Sequence, residues 1–167
     1  MAFHILAAAA AAIAVGLRSY APEPRERAGF IGASPRTLPM HAAPIEPGWV
    51  LLGSPQARVG SHSVADDESA TTDIWDCTAG TFRWFFAWDE TVVILEGGVH
   101  VTADDGTTRV LRSGDVGYFR AGTWATWRID DYVRKVAFVR RPLPAPIALV
   151  YMIASALRSR LRDLVRR

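Results

Sequence analysis

From residue 73 to residue 140, short runs rich in Val, Ile, Thr and aromatic residues are separated by glycine-containing corners, and polar and apolar positions alternate with a period of two. The pattern predicts strands over 73–77, 81–88, 91–96, 98–104, 107–112, 116–120, 123–130 and 132–140, with an edge strand before them over 49–53. Glu96-Gly97, Asp105-Gly106, Gly114-Asp115 and Ala121-Gly122 mark corners where the backbone needs a positive φ or a close approach. Asp105-Gly106 lies between two β-rich runs and is a hairpin signal. Residues 54–72 are polar, with Asp66-Asp67-Glu68 at the tip, and read as a loop. Many short strands with frequent turns predict an all-β sandwich or barrel, and no internal repeat divides it, so one unit is expected.

The two ends have a different pattern. Residues 1–18 are alanine-rich and apolar up to Arg18, which predicts a helix. Three readings of it stand: a helix packed on its own protein or on a membrane surface, a single membrane anchor, or a cleaved signal. The signal reading is weakened by the lack of a basic region before the apolar run and by Pro22 following Ser19-Tyr20-Ala21. If the segment anchors the chain, Arg18, Arg25, Arg27 and Arg36 hold the rest in the cytoplasm, on the inner face of the membrane. Residues 19–48 are too rich in proline for a helix and lack strand alternation, so they read as a linker. The barrel is expected over 49–141. Residues 142–167 form a proline-delimited C-terminal segment, in which a helix starting at Ile147 turns from apolar to basic.

Composition narrows the picture further. At 167 residues, 50% of them hydrophobic, the chain can bury one sizeable core, its net charge of +2 is unremarkable, and no nucleic-acid partner is expected. Arg158, Arg160, Arg162, Arg166 and Arg167 concentrate positive charge at the C-terminus, an end that reads first as a solvated basic helix end and second as a contact for anionic lipid or nucleic acid. The single cysteine, Cys77, excludes an internal disulfide and is expected as a small buried strand residue.

The run from Trp75-Asp76-Cys77-Thr78-Ala79-Gly80 through Asp89-Glu90-Thr91-Val92-Val93-Ile94-Leu95-Glu96-Gly97 to Gly114-Asp115-Val116-Gly117-Tyr118-Phe119-Arg120-Ala121-Gly122 and Val133-Arg134-Lys135-Val136 resembles the cupin superfamily. Within it the run is similar to the branch named after (S)-ureidoglycine aminohydrolase, to which ethanolamine-utilisation cupins also belong. The resemblance covers residues 49–140 and implies a double-stranded β-barrel of the jelly-roll type, here with an N-terminal and a C-terminal helix. It also implies a homodimer, since open sheet edges need cover. In the first cupin motif Glu90 and Gly97 keep their spacing, but Trp84 and Phe86 stand in the histidine places, or Arg83 and Phe85 in the other allowed register. In the second motif Ala125 replaces the histidine. The four histidines, His4, His41, His62 and His100, lie elsewhere, and a first-row metal needs three or more donors, so neither metal nor cofactor is expected.

Alternation and motif alignment together place Trp84, Phe86, Glu90, Ala125 and Trp127 on the inner face, with Tyr118 near them. Arg134 and Lys135 point to opposite faces of the last strand, so one of them can reach Glu90, either as a structural ion pair or as part of a site. The expected ligand-binding set is Trp84, Phe86, Glu90, Tyr118, Trp127 and Lys135, and no catalytic residue is named. The favoured function is binding or sensing of a small polar or cationic molecule in an aromatic-lined barrel. The alternatives are an aminohydrolase-like or other cupin enzyme of small-molecule metabolism, and a structural or membrane-tethered module whose barrel is filled by its own side chains.

Overall fold

A computed structural model of the chain describes residues 28–142, Pro144, 146–149 and 151–153. The chain divides after Gly32, and the strands lie in the unit that begins at Ala33. The expected N-terminal helix over 1–18, and the basic end of the C-terminal segment, lie outside the described residues.

Among the described residues eight strands follow one another: β1 (His41–Ala42), β2 (Val50–Gly53), β3 (Ala57–Val64), β4 (Ala70–Phe86), β5 (Asp89–Ala103), β6 (Thr108–Arg112), β7 (Val116–Phe119) and β8 (Thr123–Arg140). They form one sheet in the order β1-β3-β4-β8-β5-β6, with β2 also paired to β4 and β7 to β5. Every pairing is antiparallel. The frame is the long strand β8, which pairs with β4 on one side, from Ala70↔Arg140 to Phe86↔Thr123, and with β5 on the other, from Asp89↔Arg140 to Ala103↔Ala125.

Several expected strands turn out to be halves of longer ones. Segments 73–77 and 81–88 fuse into β4, 91–96 and 98–104 into β5, and 123–130 and 132–140 into β8. The expected breaks coincide with irregularities of register, at Thr78/Gly80 on β4 and at Ile94/Glu96 and Gly97/His100 on β5. A bulge bends and twists a strand without ending it, so glycine and polar signals that predict a turn instead mark the places where the sheet curls.

The loop expected over 54–72 needs correction, because β3 occupies its first half. Arg58, Gly60, Ser61, His62 and Ser63 give β3 little intrinsic strand preference. Its strand form comes from a ladder to β4, from Ala57↔Cys77 to Val64↔Thr71. Two other features match the expectations: β2 provides the edge strand, and β5 and β6 form the hairpin around Gly106, whose φ is +83°.

Gly97 carries the tightest constraint at a bulge. Its φ is +69°, and a Cβ there would lie 1.9 Å from the carbonyl oxygen of Tyr132 on β8. The Gly97→Ala variant is therefore expected to lose about 2–3 kcal/mol of stability, since both the backbone conformation and the β5–β8 approach must yield. Urea denaturation checks this, and a loss below ~0.5 kcal/mol would show that the bulge relaxes freely.

The core consists of inward residues from β4, β5 and β8, among them Cys77, Phe82, Phe86, Val92, Ile94, Val99, Trp127 and Val133, all nearly inaccessible to solvent. Beyond the barrel, residues 146–149 and 151–153 are helical, in accord with the expected C-terminal helix, and the amides of Ile147 and Ala148 donate to the Pro144 carbonyl. Among the described residues no helix is long and apolar enough to cross a membrane.

Candidate functional site

The curled sheet lines a half-open cavity of about 120 Å³. Its aromatic wall consists of Trp75, Phe82 and Trp84 from β4 and Trp127 from β8. Asp73 on β4, Glu90 on β5 and Lys135 on β8 supply the polar groups, and Val59, Ala137 and Val139 complete the lining. On β4, positions 73 and 75 precede the bulge and positions 82 and 84 follow it, so the bulge lets one strand present both odd and even positions to the same space.

The central polar contact joins Lys135 to Glu90. Lys135 Nζ donates to Glu90 Oε1 at 2.6 Å, with side-chain exposures of 6% and 12%. The same ammonium lies 5.0 Å from the ring centroid of Trp75 and 4.6 Å from that of Trp127. Lysine thus occupies the aromatic faces that a ligand cation would use, and this desolvated charge is held by one carboxylate and two indole faces. The rings brace one another: Trp75 meets Trp127 edge to face at 5.9 Å and Trp84 at 6.1 Å. The Nε1 atoms of Trp75 and Trp127 are buried and have no hydrogen-bond partner.

Four of the six expected ligand-binding residues, Trp84, Glu90, Trp127 and Lys135, line the cavity together. Phe86 and Tyr118 do not. Phe86 is 2% exposed and stacks on Phe119 at 4.1 Å, so it fills core at the end of β4. Tyr118 is 59% exposed, because it sits on β7 opposite Thr91, one residue out of phase with the inward Glu90. Sequence reasoning missed Asp73 and Trp75 as lining residues. They share one face of β4 by simple alternation, and the signal was obscured because the histidine-like positions all lie beyond the bulge.

The residues do not fit a cupin metal. Trp84, Phe86 and Ala125 offer no donor, and Glu90, the remaining motif position, is engaged by an ammonium group. A divalent ion beside Lys135 would meet like charge at close range. Among the described residues no three or more His, Cys, Asp or Glu side chains converge.

A second polar cluster lies on the opposite face of the β3–β4–β8 sheet. Asp76 accepts from Arg58 Nε at 3.0 Å, Arg58 Nη2 at 2.8 Å and the Tyr132 hydroxyl at 2.9 Å, and Arg134 Nη2 lies 3.5 Å away. Burial pushes the Asp76 carboxyl upward, but hydrogen bonds from Arg58 and Tyr132 and the charges of Arg58 and Arg134 outweigh it and hold the group below the usual carboxylate range. Next to it, burial and the negative charge of Asp76 push the Cys77 thiol up to about 12. Cys77 is thus a buried core thiol of low reactivity. Arg134 and Lys135 divide between the two faces as expected, and Lys135 is the one that reaches Glu90.

Residues 64–137 match the family described as the EutQ-like cupin domain. The EutQ protein of Clostridium difficile is 19% identical, with 53% of this chain aligned to 70% of that one at a TM-score of 0.47. A DUF861-family protein of unknown function from Pseudomonas syringae is 22% identical at a TM-score of 0.57, over 62% of this chain and 45% of that one, so the chain spans less than half of its length. A DUF861-family protein of Thermotoga maritima is 38% identical over 38% of this chain and 73% of that one, at a TM-score of 0.37. No curated protein matches. The chain belongs to the cupin superfamily, and its barrel contains a EutQ-like cupin domain.

Proposed function

We propose that the barrel binds a small polar molecule in its tryptophan-lined cavity and acts as a binding or sensing module that uses no first-row metal. The observation that carries this reading is the Lys135–Glu90 pair, a fixed and nearly buried pair of charges beside about 120 Å³ of space. Ligand sites combine apolar walls with a few convergent polar groups, and Trp75, Trp84 and Trp127 around Asp73, Glu90 and Lys135 form that combination. A barrel filled only by packing would instead place aliphatic or aromatic groups at these three polar positions.

Thermal unfolding in the presence of small amides, carboxylates, amines and polyols tests the proposal. A compound that binds is expected to raise Tm by about 5–10 °C at a hundredfold excess over its Kd. The rise should shrink in the Val139→Phe variant, which puts bulk at a half-buried lining position. If no compound shifts Tm, or if the shifts persist undiminished in that variant, the cavity is a packing void and the filled-barrel reading replaces this one.

A further inference from the structure

We propose that Lys135 is a nucleophile that captures a small uncharged aldehyde as a Schiff base. The inference rests on the cavity being a binding site and adds the class of ligand and the bond that holds it.

Of the 19 Lys and Arg residues in the chain, eighteen are arginines, and Lys135 is the only lysine. Where a cation serves for pairing alone, as at Asp76, the chain uses arginine, in Arg58 and Arg134. A guanidinium stays protonated and offers no nucleophilic lone pair, whereas an amine can release a proton and attack carbon. Packing does not call for a lysine either, since an apolar side chain over the two indoles avoids the cost of desolvating a charge.

The surroundings supply what amine chemistry needs. Nζ is ringed by groups of residues that all line the half-open cavity: Glu90 Oε1 at 2.6 Å, the Trp127 ring centroid at 4.6 Å and that of Trp75 at 5.0 Å. Desolvated lysines in apolar pockets form Schiff bases with carbonyl compounds, and Glu90 lies within hydrogen-bond reach as the proton acceptor. One proton passes from the ammonium to Glu90, and the freed lone pair bonds to the carbonyl carbon while the C=O π pair moves to oxygen. An N–H proton transfers to that oxygen, which completes a carbinolamine. Glu90 then gives its proton to the hydroxyl, the C–O bond breaks, and water leaves. The product is an iminium facing the Glu90 carboxylate as the ammonium did, so charge is conserved and no oxidant or reductant takes part. The indole faces that hold the ammonium suit the iminium equally.

The cavity also limits the guest. Its volume of about 120 Å³ admits a chain of a few carbons, and Trp75, Phe82 and Trp84 favour an apolar one. Asp73 and Glu90 already set two carboxylates against a single ammonium, so an oxo acid would add negative charge while losing its own hydration.

Treating the full-length protein with propanal and cyanoborohydride at pH 7 tests the assignment, because reduction fixes the imine as a stable propylamine. The chain has two primary amines, Lys135 and its α-amino group, and peptide mapping by mass spectrometry tells them apart. An α-amino group ordinarily presents roughly a hundredfold more free amine than a lysine at this pH and is labelled first. The expected result reverses that order, with Lys135 labelled about tenfold faster than the α-amino group in the folded protein and the ordinary order restored in urea. If the α-amino group is labelled first in the folded protein as well, the assignment falls. Propan-1-ol, of similar size but without an electrophilic carbon, separates that failure from failure of the binding reading. A rise in Tm with propanal or propan-1-ol, without labelling of Lys135, would overturn the covalent step and leave a non-covalent site. Neither labelling nor any rise in Tm would overturn the covalent step and count against the cavity as a site.

Discussion

Replacing Glu90 with glutamine is expected to lower the stability of the fold by about 3–5 kcal/mol, because the change leaves the Lys135 ammonium buried without its counter-charge. The pair is short, at 2.6 Å, and neither side chain has the exposure needed to swing into water. The two indole faces remain, but cation–π attraction contributes less than the missing ion pair. Lys135→Met should cost a comparable amount by stranding Glu90. The double variant Glu90→Leu with Lys135→Met should recover most of the loss, since an apolar pair of similar volume avoids both desolvation costs. Urea denaturation of the wild type, Glu90→Leu, Lys135→Met and the double variant measures the coupling. Additive losses in the double variant would mean that the two groups act independently, contrary to their geometry. The same cycle separates support of the fold from ligand binding: a stable double variant that no longer responds to a compound that raises the wild-type Tm would show that the charges are retained for the site.

The sequence made the barrel legible because its inward positions are large and regularly spaced. Trp84, Ala125, Trp127 and Lys135 obey one alternation on β4 and β8, and their facing follows from counting by twos. Counting fails where a bulge changes phase. Asp73 and Trp75 share the cavity with Phe82 and Trp84 although the two sets differ in parity, and only the register shift near Thr78 and Gly80 reconciles them. Phe86 obeys the alternation and faces inward, but it lies at the end of β4 where Phe119 meets it, so depth along the barrel rather than facing decides its role. β3 was hidden for a different reason. Its residues have little strand preference, and a ladder to a long neighbour makes them a strand, which is information held in β4. Alternation leaves open which cation reaches Glu90: Arg134 and Lys135 lie on opposite faces of the last strand, and the structure places the lysine inside, over the tryptophans, and the arginine beside Asp76.

The second large effect is expected at Asp76, and its signature is pH dependence. Asp76 is 1% exposed and holds Arg58, Tyr132 and Arg134 together across β3, β4 and β8. Asp76→Asn keeps the shape and an acceptor for the tyrosine but removes the charge, leaving Arg134 largely buried without a counter-ion; a loss of about 3 kcal/mol at neutral pH is expected. The carboxyl is held below its ordinary range in the fold, so its contribution is fully present above the unfolded value of about 3.9 and is lost as pH falls through the lower folded value. Wild-type stability should therefore decline below about pH 4 more steeply than that of the variant, and the gap between them should narrow toward low pH. Asp67, Asp89 and Asp105 are likewise held down, by hydrogen bonds from Ser69, Ala121 and Thr107 respectively, so the wild-type slope alone cannot be assigned to one group. The difference between the two proteins isolates Asp76, because those three carboxyls are common to both. Urea denaturation at several pH values between 2 and 7 provides it. A gap that stays constant across that range would show that the Asp76 charge does not stabilise the fold and that its hydrogen bonds alone matter.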